Sequence, residues 1–377
     1  MNSQSSPSIS GSAQRSGQFR AACRVLEEAI AAKAFPGCAF GVLAGGEAVL
    51  QDALGRFTYE NDAPRVTGET VFDVASLTKV VATTAAAMLL HQRGELDLEL
   101  PVGELLPGFV VGREPGDAAL RVTFRHLLAH NSGLPGYMEF FRAAATPGEL
   151  MRACLALKLE AEPGTRAEYS DPGFILLGKA LEVLTGESLA KWTRREIFHR
   201  LEMPQTGFLT GQKHGSYLIP PTEVDSTFRH RRIQGEVQDE NAWVLRGVAG
   251  HAGLFSNVPD LLRFSVEILR AGARHESEAK PGPLFDHATL DLFAQPQPPA
   301  GSTRAIGWDT PSAHSSSGKH FSAHSIGHLG YSGCSLWIDR DASVAVVLLT
   351  NRTWPDRQSQ LIKTVRPAFH DAIREAL

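Results

Sequence analysis

Between Phe19 and Ala34 apolar residues recur at the three-and-four spacing of an amphipathic helix, until Pro36-Gly37 breaks the pattern. Two apolar runs follow, Cys38–Leu43 and Ala48–Leu54, around the turn Ala44-Gly45-Gly46-Glu47, which predicts an antiparallel hairpin packed on that helix. Ser76–Arg93 (SLTKVVATTAAAMLLHQR) is apolar nearly all round and stops at Gly94, as a helix enclosed by protein does. Phe124–His130, Pro147–Lys158, Pro172–Leu184 and Leu189–Leu201 repeat the helical spacing, with Gly or Pro between them. Strand signals return from Ile306, in Ser335–Asp339 and above all Ser343–Thr350, before a final amphipathic helix over Gln358–Leu377. A Pro-rich loop, Gln295–Gly301, and a Ser/His-rich loop, Pro311–Ser322, lie between, and no repeat of solenoid period is present.

The pattern predicts an α+β protein in which the two ends of the chain build one antiparallel β-sheet flanked by helices, and the middle forms an all-helical lobe. The expected division is a disordered tail over residues 1–17 and a single domain over 18–377, with the sheet part at about 18–75 and 245–377 and the helical lobe at about 76–244.

Composition narrows the function. A chain of 377 residues that is 43% hydrophobic and 21% charged has enough apolar material for one large core. The net charge is −4, with Lys and Arg scattered, so nothing draws it to nucleic acid or an anionic membrane, and a small-molecule partner is expected. The longest apolar stretches, Val80–Leu90 and Ala342–Leu349, fall short of the roughly 18 residues of a membrane span. Met1–Gly17, rich in Ser, Gly and Gln, lacks the basic segment and long apolar run of a signal peptide and reads as the tail of a cytoplasmic protein. Cys23, Cys38, Cys154 and Cys334 form no C-x-x-C pair and are expected to be buried thiols. Oligomeric state leaves no trace in the sequence.

The chemistry centres on Ser76 and Lys79. Serine and lysine three residues apart share a helix face, so an amine kept partly neutral by burial can take the hydroxyl proton. At the first turn, the Ser76 N–H also lies at the positive end of the helix dipole, where an oxyanion could be held. The four-residue pattern is weak alone; its position between an apparent strand end and an enclosed helix makes it specific.

FDVASLTKVVATT resembles the nucleophile region of the class C β-lactamase-related serine hydrolases, a family that also holds D-alanyl-D-alanine peptidases and family VIII esterases. More segments match in order: His126–Leu134 (HLLAHNSGL), Tyr169-Ser170-Asp171 in the place of Y-x-N, Gly247–Ser256 (GVAGHAGLFS) as a Gly-rich loop, and His328-Leu329-Gly330 in the place of the H/K-T/S-G strand. The resemblance spans about residues 18–376 and implies Ser76 as nucleophile, Lys79 as its partner and Tyr169 as proton relay. It further implies an oxyanion hole from the N–H groups of Ser76 and Tyr331, with His328 reaching Tyr169 or the substrate. Asp171, Leu329, Gly330, Asn241 of the Asp239–Ala242 segment, and Gly250 are the expected cleft residues.

Two departures from the family pattern matter. Asp171 replaces an amide; it is either a charged cleft residue or only the N-cap before Pro172. Leu329 replaces the hydroxyl with which penicillin-recognising relatives hold a substrate carboxylate. Esters or amides are therefore expected ahead of β-lactams and D-alanyl-D-alanine peptides as small-molecule substrates, with Tyr169 and His328 both candidates for the deacylating base. A degenerate member that binds an acyl or peptide ligand, or a partner, without turnover is the alternative.

Rival chemistries lack their motifs. Ser332 in Gly330–Cys334 misses the G-x-S-x-G spacing, and Gly247, Gly250 and Gly253 match neither a dinucleotide fingerprint nor a P-loop. No cofactor is expected. His314, His320, His324 and His328 lie in Ser/Gly-rich surroundings without a shared helix face, so no metal is expected either.

Overall fold

The computed structural model describes residues 17–209, 219–273 and 282–377. The tail expected over residues 1–17 lies, apart from Gly17, outside the described residues.

Along the chain, helix α1 (Arg20–Ala31) precedes the hairpin β1 (Gly37–Ala44) and β2 (Glu47–Gly55), then the short strand β3 (Phe72–Asp73). A helical run follows: α2 (Ala85–Gln92), α3 (Val102–Leu105), α4 (Phe124–Leu128), α5 (Pro147–Leu155), α6 (Asp171–Thr185) and α7 (Leu189–Thr193). Next come β4 (Gly207–Phe208), β5 (Glu223–Asp225), β6 (Arg231–Ile233), α8 (Glu240–Val244), β7 (Leu254–Ser256), α9 (Val258–Gly272) and α10 (His287–Phe293). The chain closes with β8 (Ile326–Leu329), β9 (Ser335–Asp339), β10 (Val344–Thr350) and α11 (Ile362–Ala376).

The main sheet has the order β2-β1-β10-β9-β8, every pair antiparallel, so both ends of the chain do build one sheet. β10 is buried along its whole length because the two faces of the strand feed different cores. Val344, Val346 and Leu348 face a core with Phe40, Leu26 and Phe369, under α1 and α11. Ala345, Val347 and Leu349 face the larger core with Leu261, Val81 and Met88, under α9 and the central helix. The tight approach of α9 is visible at Gly41, where a Cβ would sit 2.6 Å from Val258 Cγ1.

The run Ser76–Arg93 is helical, but not uniformly α. Lys79–Thr84 forms a π-helical segment that leads into α2, and all six of its residues are buried. Insertions of this kind widen a helix and are common at functional sites. Leu254–Ser256, read from the sequence as loop, is instead β7, the centre of the sheet β3-β7-β4. The helix expected to reach His130 ends at Leu128, and His130 itself takes a left-handed backbone, φ +56.

Candidate active site

Three segments distant in sequence converge on Ser76. The first is the end of β3, where Phe72 and Asp73 pair with Ser256 and Phe255 of β7. Asp73 is buried, and its carboxylate accepts from Ala75 N at 2.8 Å and Gln238 N at 2.7 Å. Burial raises its pKa to about 6, against those hydrogen bonds. Ala75 adopts φ +48, a strained value for a side chain with a Cβ, and this bend delivers Ser76 to the start of the helix.

The second segment is the loop before α6. His130 Nδ1 accepts from Ser170 N at 2.9 Å, and the His130 ring stacks 4.7 Å from Tyr169 and 4.9 Å from Phe174. The HLLAHNSGL segment thus cradles Tyr169. Its Oη shares a 2.8 Å hydrogen bond with Ser76 Oγ.

The third is the turn after β8. Gly330 must be glycine here, because a Cβ would lie 2.5 Å from Val74 O. Ser332 Oγ donates to Asp73 O at 2.7 Å, and the buried Arg366 donates to the carbonyls of Gly330, Gly333 and Cys334. Tyr331 is therefore held beside Ser76, half of its surface open to solvent.

Lys79 is fully buried, and its three protons are accounted for: Nζ donates to Ser76 Oγ at 3.2 Å, to Asp171 Oδ1 at 2.7 Å and to His251 O at 3.0 Å. Nζ also lies 4.7 Å from the Tyr169 ring centroid. This corrects the expectation that burial leaves the amine partly neutral. Desolvation does favour the neutral form, but the Asp171 charge, then Tyr169, outweighs it and moves Lys79 above its ordinary value. Tyr169 is also raised, by burial and by Asp171, with Lys79 opposing.

Asp171 is not the helix cap. Ser170 caps α6, its Oγ accepting from Gly173 N at 3.1 Å, and Asp171 occupies the first helical position, free to face Lys79. His328 is buried; its Nδ1 donates to Leu329 O at 2.8 Å rather than reaching Tyr169, whose ring lies 5.9 Å away. Burial, then Lys79 and Arg304, push His328 well below its ordinary value, so it is neutral.

Two expected cleft residues serve other ends. Asn241 is buried, with Oδ1 accepting from Phe141 N at 3.0 Å and Nδ2 donating to Met138 O at 2.8 Å, so it braces the loop at the cleft rim. Gly250 sits where the chain crosses α6: a Cβ would lie 2.0 Å from Phe174 O, while its own carbonyl accepts from Thr83 Oγ1 at 2.7 Å. From that region the cleft is lined by Gln238, Asp239, Glu240 and Ala252. Asp239 pairs with His251 at 2.9 Å; burial opposes its charge, but His251, the Ala242 N–H and Lys79 prevail and hold it at about 2.

Two cavities open on either side of Ser76, Tyr169 and Tyr331, which line both. One, of about 620 Å³, carries Tyr137, Phe141, Asp171, Asp239 and Glu240. The other, of about 470 Å³, carries Arg304, His328, Leu329, Arg352, Lys363 and Arg366. The sequence did not single out Asp73, His130, His251, Arg304 or Arg366 as site residues, since their roles depend on contacts across the fold. Among the described residues, one group, Glu223, Asp225 and Glu240, has its carboxylates near enough to share a metal ion. Arg229 and Arg357 already pair with its three carboxylates. His320 and His324 turn to different partners, Glu375 and Asp341.

A serine flanked by a buried ammonium and a tyrosine hydroxyl, at the mouth of two cavities, is the site of an acyl-transferring serine hydrolase. The chain belongs to the Beta-lactamase family, whose model matches residues 23–366. It is 30% identical over 370 residues to an N-acetylmuramyl-L-alanine amidase of Bacillus subtilis (strain 168), covering 89% of this chain and 81% of that one. It is 28% identical over 315 residues to a provisionally named D-alanyl-D-alanine carboxypeptidase of Escherichia coli (strain K12), covering 76% and 70%. The solved structure of EstCE1, a hydrolase with promiscuous acyltransferase activity, superposes with TM-score 0.77 at 22% identity, covering 96% of this chain and 100% of that one, a likeness of fold. The protein is thus a β-lactamase-related serine hydrolase. No helix of the described residues is long and apolar enough to cross a membrane.

Proposed function

We propose that the protein hydrolyses ester or amide substrates through an acyl-enzyme on Ser76. The observation that carries this is the convergence on Ser76 Oγ of Tyr169 Oη at 2.8 Å and Lys79 Nζ at 3.2 Å. Tyr169, as phenolate, takes the serine proton as Oγ attacks the acyl carbon, and returns it to the leaving oxygen or nitrogen as that bond breaks. On this reading the developing oxyanion is met by the Ser76 and Tyr331 N–H groups, which follow the strained bend at Ala75 and the turn at Gly330. Water then attacks the ester, Tyr169 accepting its proton and returning it to Ser76 Oγ as the bond from Oγ to the acyl carbon breaks and the acid leaves. His328, neutral and with Nε2 unpaired among protein groups, is the second candidate. On this reading the cleft lies between the sheet part and the helical lobe, and the acyl group occupies the larger cavity.

The test is intact-mass analysis after quenching a turnover with p-nitrophenyl butyrate. A butyryl adduct that maps to the Ser76 peptide supports the reading, and an adduct elsewhere refutes it.

One observation favours a second reading of the leaving group. Arg304, Arg352, Lys363 and Arg366 line the smaller cavity against one carboxylate, Asp309. Leu329 offers no hydroxyl there, but this positive field suits a leaving group bearing a carboxylate, as a peptide ending in D-alanine does. Release of D-alanine from such a peptide faster than butyrate ester hydrolysis, per unit kcat/KM, would favour the peptidase reading.

A further inference from the structure

Asp171 is the one residue of the central constellation whose charge the proton relay does not require. An amide at this place could still accept a hydrogen bond from Lys79, and Ser170 already caps α6. A carboxylate in contact with a fully buried amine does something an amide would not: it supplies the counter-charge that makes the ammonium the stable form away from solvent. The geometry is that of a committed ion pair. Asp171 Oδ1 lies 2.7 Å from Nζ, and the Asp171 backbone N–H donates to Gly136 O at 2.9 Å, which fixes the main chain that carries the carboxylate at the start of α6.

We propose that Asp171 is a positioning residue that holds Lys79 in its ammonium form, leaving Tyr169 as the proton acceptor and setting the enzyme to work at higher pH than an amide at this position would. The proposal rests on the Ser76 reading above.

Charged and titratable groups approach Lys79 from several elements. Asp171 faces it from α6, Tyr169 from the loop before α6, Asp239 from the cap of α8, His130 from the turn after α4 and His328 from β8. His251 supplies its carbonyl, and its ring is taken up by Asp239. Arg304 stands behind, 5.3 Å from the Tyr169 ring. The two histidines are held neutral by burial and by Lys79 and Arg304, so they add no charge near neutral pH. Of the two carboxylates, Asp239 is spent on His251 and its own helix cap, which leaves Asp171 as the direct counter-charge.

The sign follows. Removing the Asp171 charge removes an anion that stabilises ammonium and opposes phenolate. Lys79 then loses its proton at lower pH, and Tyr169 reaches the phenolate at lower pH while Lys79 is still charged. Both limbs of the rate profile move toward acid. A charge at this separation typically shifts a partner's pKa by about one to three units.

The experiment is the pH profile of kcat/KM for p-nitrophenyl butyrate in wild type, Asp171→Asn and Asp171→Glu, with KM and kcat resolved at each pH. The expected result is an acid shift of about one unit or more for Asp171→Asn, carried mainly in kcat, and a profile for Asp171→Glu close to wild type. A profile that keeps its position in Asp171→Asn, whatever the loss of rate, overturns the proposal and leaves Asp171 a packing residue. Should Asp171→Asn not fold, Asp171→Ser replaces it under the same criterion. The pH dependence of Ser76 labelling by a fluorophosphonate, mapped by peptide mass, is read in parallel. Label on Ser76 with an unmoved profile defeats this proposal alone, whereas label on another residue defeats the Ser76 reading itself.

Discussion

Ser76 Oγ is reached by two groups with opposite duties. The Lys79 ammonium can only donate, while Tyr169 Oη can accept once it is ionised. Tyr169→Phe keeps the ring that stacks on His130 and removes only the oxygen, so the fold should hold and kcat should fall by about 10²–10⁴ with KM little changed. Steady-state kinetics at the wild-type optimum, beside a thermal melt, would check both halves. A loss confined to KM would mean that Tyr169 binds substrate rather than moving a proton. At this scale the sequence was legible where chemistry is local. Ser76 and Lys79 are three residues apart, and Tyr169 heads a tripeptide of recognisable form. It was illegible where partners are far apart. The protonation of Lys79 depends on Asp171, 92 residues on, and the placing of Tyr331 depends on Arg366 beneath the turn.

Among the elements, those bounded by Gly or Pro, or by long apolar runs, were legible: the first helix, the hairpin, the enclosed helix and the last two strands. Three features were not. The π-helical segment at Lys79 has no sequence signature distinct from an α-helix. The three residues of β7 are too few to show a period and sit among glycines. Asn241 and Gly250 lie beside cleft residues in sequence, but their side-chain position is spent on the rim loop and on a backbone crossing. Gly250→Ala tests that last point. Its Cβ would press on Phe174 O and the α6 backbone at Gly178, and overpacking of this kind costs about 1–3 kcal/mol. The midpoint of urea unfolding should fall accordingly; an unchanged midpoint would mean that the crossing can relax, and that Gly250 is free for another task.

Across the whole molecule, the architecture follows from a single arrangement: both ends of the chain contribute strands to one sheet, and β10 is apolar on both faces because a core lies on each side. That much could be read from the two apolar hairpin runs and Ser343–Thr350. The site emerges where this sheet's edge strand β8, the helix from Ser76 and the loop ahead of α6 meet. The two cavities on either side of Ser76 differ in charge, the larger rich in carboxylates and the smaller in arginines, and a substrate that spans both would present different chemistry to each. This asymmetry could not be read from net charge, since −4 spread over 377 residues says nothing about which charges share a cavity.

The most direct test of the account is release of p-nitrophenol from p-nitrophenyl butyrate by wild type and Ser76→Ala, measured side by side on protein shown to be folded. The account predicts many turnovers per wild-type molecule and a rate at least about a thousandfold lower in the variant. Full activity in Ser76→Ala would contradict it.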